Sequence, residues 1–153
     1  MSLKVTKIDV WSGEIRDQPG GLAGVLRELA ATGASLEMLV ARRQPDRPGS
    51  GIVFLAPVKG RAAIGAAAVA GLSPTAGVSA LRVEGTDRPG LGARMTGAIA
   101  DAGINLRGLS AAVVGGRFAA YLAFDSREDA EKAAKAMRAA EAPKATKKKS
   151  KKR

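Results

Sequence analysis

The tetrad Asp-x-Pro-Gly occurs at 17–20 as DQPG and at 87–90 as DRPG, and the two copies lie 87 − 17 = 70 residues apart. Each follows a strand-like stretch, and each precedes an amphipathic helical pattern. After the first, Leu22, Val25, Leu26, Leu29 and Ala30 share one helical face; after the second, Leu91, Met95, Ala98, Ile99 and Ala102 do. The offset continues past both helices without a gap: Gly33 matches Gly103, Leu36 matches Leu106, and Leu39 matches Leu109. Both glycines suit the left-handed position that ends a helix. A third copy, DRPG at 46–49, has a polar run before it and the short apolar run SGIVFLAPV after it. It reads as turn chemistry in a loop, residues 44–51, between two strands. The chain is therefore an internal repeat of two units, and that constrains its fold more than any other feature.

Either unit alone would bury little surface, which favours two units packed together. The division read from the repeat is a first unit at 1–77, a second at 78–139 and a Lys-rich tail at 140–153. The first unit reads as strand 3–15, helix 19–32, strand 35–43, strand 51–58 and helix 59–71. The second reads as strand 78–85, helix 89–102, a hairpin turning at Gly115-Gly116, and a last helix. Ser126 is placed to cap that helix, with Asp129 three residues on. Glu128/Lys132 and Glu131/Lys135 are spaced as ion pairs along it. Strand-helix-strand-strand-helix, twice, lacks one strand per unit of a ferredoxin-like βαββαβ fold. The first unit has room for that strand only in LSPTAG at 72–77, and the second has none of its own. An edge left bare in this way invites pairing with the other unit or with another chain.

Composition excludes more than it identifies. Of the 153 residues none is cysteine or histidine, which removes disulfides, Cys/His zinc sites, thiol nucleophiles and histidine general bases. Walker A, G-x-S-x-G and dinucleotide-binding motifs are absent, so the expectation is a protein that is not an enzyme and carries no cofactor or metal. Aromatic residues make up 3% of the chain against 46% apolar, so its core rests on Ala, Val, Leu and Ile. No segment has the length of a membrane span and the N-terminus lacks a signal-peptide layout, so a cytoplasmic protein is expected. The net charge of +11 is uneven, with seven basic residues and one acidic residue in 140–153. Lys144, Lys147, Lys148, Lys149, Lys151, Lys152 and Arg153 read either as a solubilising disordered end or as a salt-sensitive nucleic-acid contact.

The stretches RDQPGGLAGVLRELAATGASLEML and TDRPGLGARMTGAIADAGINLRGLSAAVVGGRFAAYLAF resemble ACT domains, and the resemblance covers all but the tail. It rests on D-x-P-G between strand and helix, followed by Gly-Ile-Asn-Leu at the next strand, which the first unit replaces by GASL at 33–36. It implies an α+β chain of two ACT-type units, antiparallel sheets with helices on one face. It also implies regulation without catalysis, an amino acid bound at the interface between units, and a homodimer or larger assembly acting on a protein partner.

The residues support that role by their own chemistry. Amides at Gly20, Gly21 and Leu22, or at Gly90 and Leu91, lie at the positive end of a helix, where a carboxylate finds donors. Pro19 and Pro89 suit the first helical position. Gln18 and Arg88 fill the variable place of the motif. Asp17 and Asp87 either accept from a ligand ammonium or satisfy their own loop, and Asn105 carries both a donor and an acceptor. Arg88, Arg94 and Arg107 gather around the second motif. Two other readings stay open: binding to nucleic acid or ribosomes through the tail, and a ligand-free adaptor between proteins.

Overall fold

The computed structural model describes residues 3–141. The seven tail cations from Lys144 to Arg153 lie outside them. Twelve elements follow in order: β1 (Lys4–Ile8), β2 (Trp11–Arg16), α1 (Gly21–Ala30), β3 (Met38–Arg43), β4 (Ser50–Ala56), α2 (Arg61–Val69), β5 (Ser73–Pro74), β6 (Ser79–Thr86), α3 (Leu91–Asp101), β7 (Gly108–Val114), β8 (Arg117–Phe124) and α4 (Arg127–Ala140). They form two four-stranded sheets, ordered β3-β4-β2-β5 and β1-β6-β8-β7, with every neighbouring pair antiparallel. Taken as βαββαβ units, both sheets have the order fourth-first-third-second. The fold is α+β, as the repeat implied.

The fourth strands come from different places. β5 completes the first sheet from within LSPTAG, pairing Trp11 with Pro74 and Ser12 with Ser73. The second sheet takes its fourth strand from the start of the chain, where Val5 lies opposite Val83 and Ile8 opposite Ala80. The single strand expected at 3–15 is thus two strands. The chain leaves one sheet after Ile8, and Val10 accepts from the Thr75 amide at 2.9 Å as β2 begins in the other sheet. Residues 4–8, grouped by sequence with the first unit, are hydrogen-bonded into the second. Leu3 and Val5 are buried with them, in a core built on Leu81, Val83, Ile99, Leu122, Phe124 and Met137. A separate core beneath α1 and α2 holds Leu29, Val53, Leu55, Ala67 and Leu72, with Trp11 packed against it as a structural residue.

The repeated motif begins each helix two residues later than expected. The Gly21 amide donates to the Gln18 carbonyl at 3.0 Å, and the Leu91 amide to the Arg88 carbonyl at 3.2 Å. Gly20 (φ 84°, ψ −6°) and Gly90 (φ 80°, ψ 4°) sit at the third position of these turns. That is type II geometry, which requires positive φ there and favours proline just before it. Pro19 and Pro89 therefore belong to the turns and are not the first helical residues. The loop copy at 46–49 builds the same turn, with Ser50 donating to Arg47 at 3.0 Å and Gly49 at φ 81°, but a strand follows it.

Gly115 and Gly116, both at positive φ, close the β7–β8 hairpin. Ser126 caps α4 by accepting from the Asp129 amide at 3.1 Å. Lys132 pairs with Glu128 at 2.9 Å as spaced, whereas Glu131 pairs with Arg127 at 3.0 Å and not with Lys135. The last helix also reaches further than the sequence division allowed. Ala140 is helical and Glu141 is its cap, so both belong to the folded body.

Candidate functional site

The first motif opens onto a recess of about 200 Å³ lined by Ile15, Arg16, Asp17, Gln18, Leu22, Ala41, Arg42, Arg43 and Gly51. β2 delivers the motif, β4 backs it through the pairing of Ile15 with Gly51, and β3 adds Arg42 and Arg43 opposite Ile52 and Gly51. Of the residues singled out by sequence, Asp17, Gln18 and Leu22 line this space. Gly20 and Gly21 form the turn beside it. The Gly21 amide is spent on Gln18, which removes it as a ligand donor. Neither helix start receives a side-chain cap, so the motif aspartates do not act as N-caps. Asp17 instead forms an ion pair with Arg43 Nε at 2.6 Å. Glu14, the other carboxylate nearby, pairs with Arg47 and makes no carboxylate couple with Asp17.

Sequence reasoning missed Arg42 and Arg43. They end β3, and only the β3–β4 register brings them to the motif. The signal available was the RR pair itself, at the exposed end of a strand.

The second set is arranged differently. Asp87 donates its amide to Gly116 at 2.8 Å, while its exposed carboxylate has no partner among the described residues. Leu91 is 2% exposed in the core and its amide is used by the turn, so neither end of it is available to a ligand. Asn105 lies exposed in the segment between α3 and β7. Arg88 and Arg94 converge on Glu141, and Arg94 also donates to the Pro89 carbonyl at 3.3 Å. Arg107 does not join them; it pairs with Asp125 at 3.3 Å.

A larger cleft of about 310 Å³ separates the two sheets, with Met38, Ala56, Pro57, Arg82 and Tyr121 among its walls. Its polar groups are largely spent on one another. Tyr121 donates to the Glu37 carbonyl at 2.7 Å, and Arg82 pairs with the Glu37 carboxylate. Burial works against the Arg82 charge, yet the Glu37 hydrogen bond and the fields of Glu84 and Glu37 outweigh it and raise its pKa. Arg82 Nε lies 3.3 Å from Glu84 without hydrogen-bond alignment. Among the described residues, no group of three Asp or Glu side chains is placed to hold a metal ion, and no helix is long and apolar enough to cross a membrane.

Residues 79–142 match the family model of the ACT domain. No curated protein matches the chain. The fold is similar to the ligand-free regulatory subunit of aspartate kinase from Thermus thermophilus, with TM-score 0.64 and 21% identity over 92% of this chain and 95% of that one. It is similar to the same subunit from Thermus flavus, with TM-score 0.59 and 22% identity over 92% and 97%. It is also similar to protein BT0572 from Bacteroides thetaiotaomicron, with TM-score 0.72 and 14% identity over 86% and 88%. Identities this low speak for the fold alone. The family match thus falls on β6 to α4, and over most of its length the chain shares the fold of the regulatory subunits above.

Proposed function

We propose that this chain is a regulatory module that binds a small ligand, an amino acid by class, in the recess of the first motif. The observation that carries this reading is the convergence of opposite charges on an open helix start. Asp17 offers an acceptor for an ammonium group. Arg43 and the remaining first-turn amides offer donors for a carboxylate. A recess of about 200 Å³ is smaller than the usual pocket for drug-sized molecules, which fits a ligand of few heavy atoms. The exposed Asp17–Arg43 pair, worth about 0–1 kcal/mol in such a setting, yields cheaply to a zwitterion that satisfies both ends. Its open side leaves room for a second copy to cover the ligand, so a dimer or larger assembly belongs to the proposal, as does a regulated protein partner. The matched domains are regulatory, and that supports a role without catalysis.

Thermal unfolding against each standard amino acid tests this. A ligand at about 100 times its Kd adds about 2.7 kcal/mol to the folded state, a shift of several degrees. One amino acid should raise Tm, and Asp17→Ala should abolish the shift. A flat panel on folded protein overturns the proposal.

A further inference from the structure

We propose that the second Asp-x-Pro-Gly loop is a carboxylate site held shut by the chain's own Glu141, so that a free carboxylate reaches it only when this latch opens. The inference rests on the reading of the first loop as a carboxylate site, and it concerns what makes the two copies unequal.

The two turns share one backbone geometry, with φ 84° at Gly20 and φ 80° at Gly90. What lies above them differs. A side-chain carbon built on Gly20 would meet nothing within 4 Å, whereas at Gly90 it would lie 3.2 Å from Arg94 Nη1. The guanidinium of Arg94 is laid across the loop and donates to the Pro89 carbonyl at 3.3 Å. The repeat offset of 70 places Gly24 where the second unit has Arg94, since 94 − 70 = 24, so the first loop has no side chain to cover it. Substitution of one position in the repeat thus converts an open turn into a covered one.

Glu141 fixes the cover. One carboxylate oxygen accepts from Arg88, inside the motif, and the other lies 3.6 Å from Arg94 Nε. The Glu141 side chain is 3% exposed, while Arg88 and Arg94 are 42% and 45% exposed. A carboxylate buried between two half-exposed guanidinium groups occupies the place that an external carboxylate would take. It arrives from the C-terminal cap of α4, whose negative end thereby meets the positive start of α3. Among the described residues Arg88 and Arg94 have no other acidic partner. When Glu141 withdraws, two cations face the loop unpaired. An internal ligand bound about nine-tenths of the time lowers the apparent affinity for an external one about tenfold.

Amide NMR with sodium acetate as the probe, titrated at constant ionic strength against chloride, tests the latch. In the wild type the amides of Gly90 to Gly92 should stay still. In Glu141→Gln they should shift and saturate, with an apparent affinity at least about tenfold higher. Glu141→Asp, one methylene shorter, should fall between and provides the test if Glu141→Gln fails to fold. Adding Arg88→Gln and Arg94→Gln should remove the response. An equal acetate response in wild type and variants overturns the latch, and so does a natively folded Glu141→Gln protein whose second loop ignores acetate. The amides of Gln18 to Leu22 report the first loop in the same spectra. Their silence would overturn the reading of the first loop while leaving a responsive second loop to stand.

Discussion

Neighbouring glycines in the first motif serve different physical ends. Gly20 is needed for its φ of 84°, with open space around it, so Gly20→Ala carries only a backbone cost of about 1–2 kcal/mol. Gly21 has an ordinary backbone, yet a side-chain carbon there would fall 2.1 Å from the Arg16 carbonyl oxygen. Gly21→Ala should therefore destabilise more than Gly20→Ala, at or beyond the top of the range of about 1–3 kcal/mol for overpacking. Urea unfolding of the two variants orders them, and a reversed order would contradict the turn geometry. Asp17→Ala tests a different property of the same loop. Losing its exposed pair with Arg43 should change stability by less than about 1 kcal/mol while abolishing the ligand response. The turn glycine was legible because Pro-Gly dictates local dihedral angles. Gly21, Arg43 and the engagement of Leu91 were not, since each depends on which backbone atoms approach from elsewhere.

At the scale of elements, period and punctuation located every helix and nearly every strand, because those signals are local. The assignment of a strand to a sheet is not local. Lys4–Ile8 is equally strand-like whichever partner it takes, and nothing in residues 3–15 marks the crossing after Ile8. The sequence pointed to an unfilled edge in the second unit, and β1 fills it. This makes β1 a stabilising element of the second unit, remote from it in sequence. Val5→Ala removes two buried methyl-sized groups and should cost roughly 2 kcal/mol. Removing residues 1–8 bares the edge of β6, and amide exchange should then rise through β6 and β8 before it rises in β4. If protection falls first in the sheet of β2 and β4, the assignment of β1 to the second core is wrong.

For the molecule as a whole, the joint between the sheets passes through Glu37. Its carbonyl accepts from Tyr121 and its carboxylate pairs with Arg82, both on the second sheet. Its amide donates to the Ala56 carbonyl at 2.8 Å, tying it to the first. Glu37 also directly precedes β3, the strand that brings Ala41, Arg42 and Arg43 to the recess. A ligand that orders this end of β3 therefore acts on a strand anchored at its other end to the ACT-matched unit. If the recess takes the proposed ligand, β3 is then a physical route from it to the second sheet without a change of fold. It also predicts how the molecule should unfold. Each sheet has its own core, and besides the covalent crossings at residues 9–10 and 75–78 the Glu37 contacts join them. The Tyr121 hydrogen bond contributes about 0.5–1.5 kcal/mol, and the solvent-exposed Arg82–Glu37 pair about 0–1 kcal/mol. Wild-type protein should melt in one calorimetric transition. Tyr121→Phe with Arg82→Ala should split it into two, with the first motif's ligand then raising only the transition of the first unit. A single transition in the double variant, shifted as a whole by ligand, would show that coupling runs through the backbone crossings and not through Glu37.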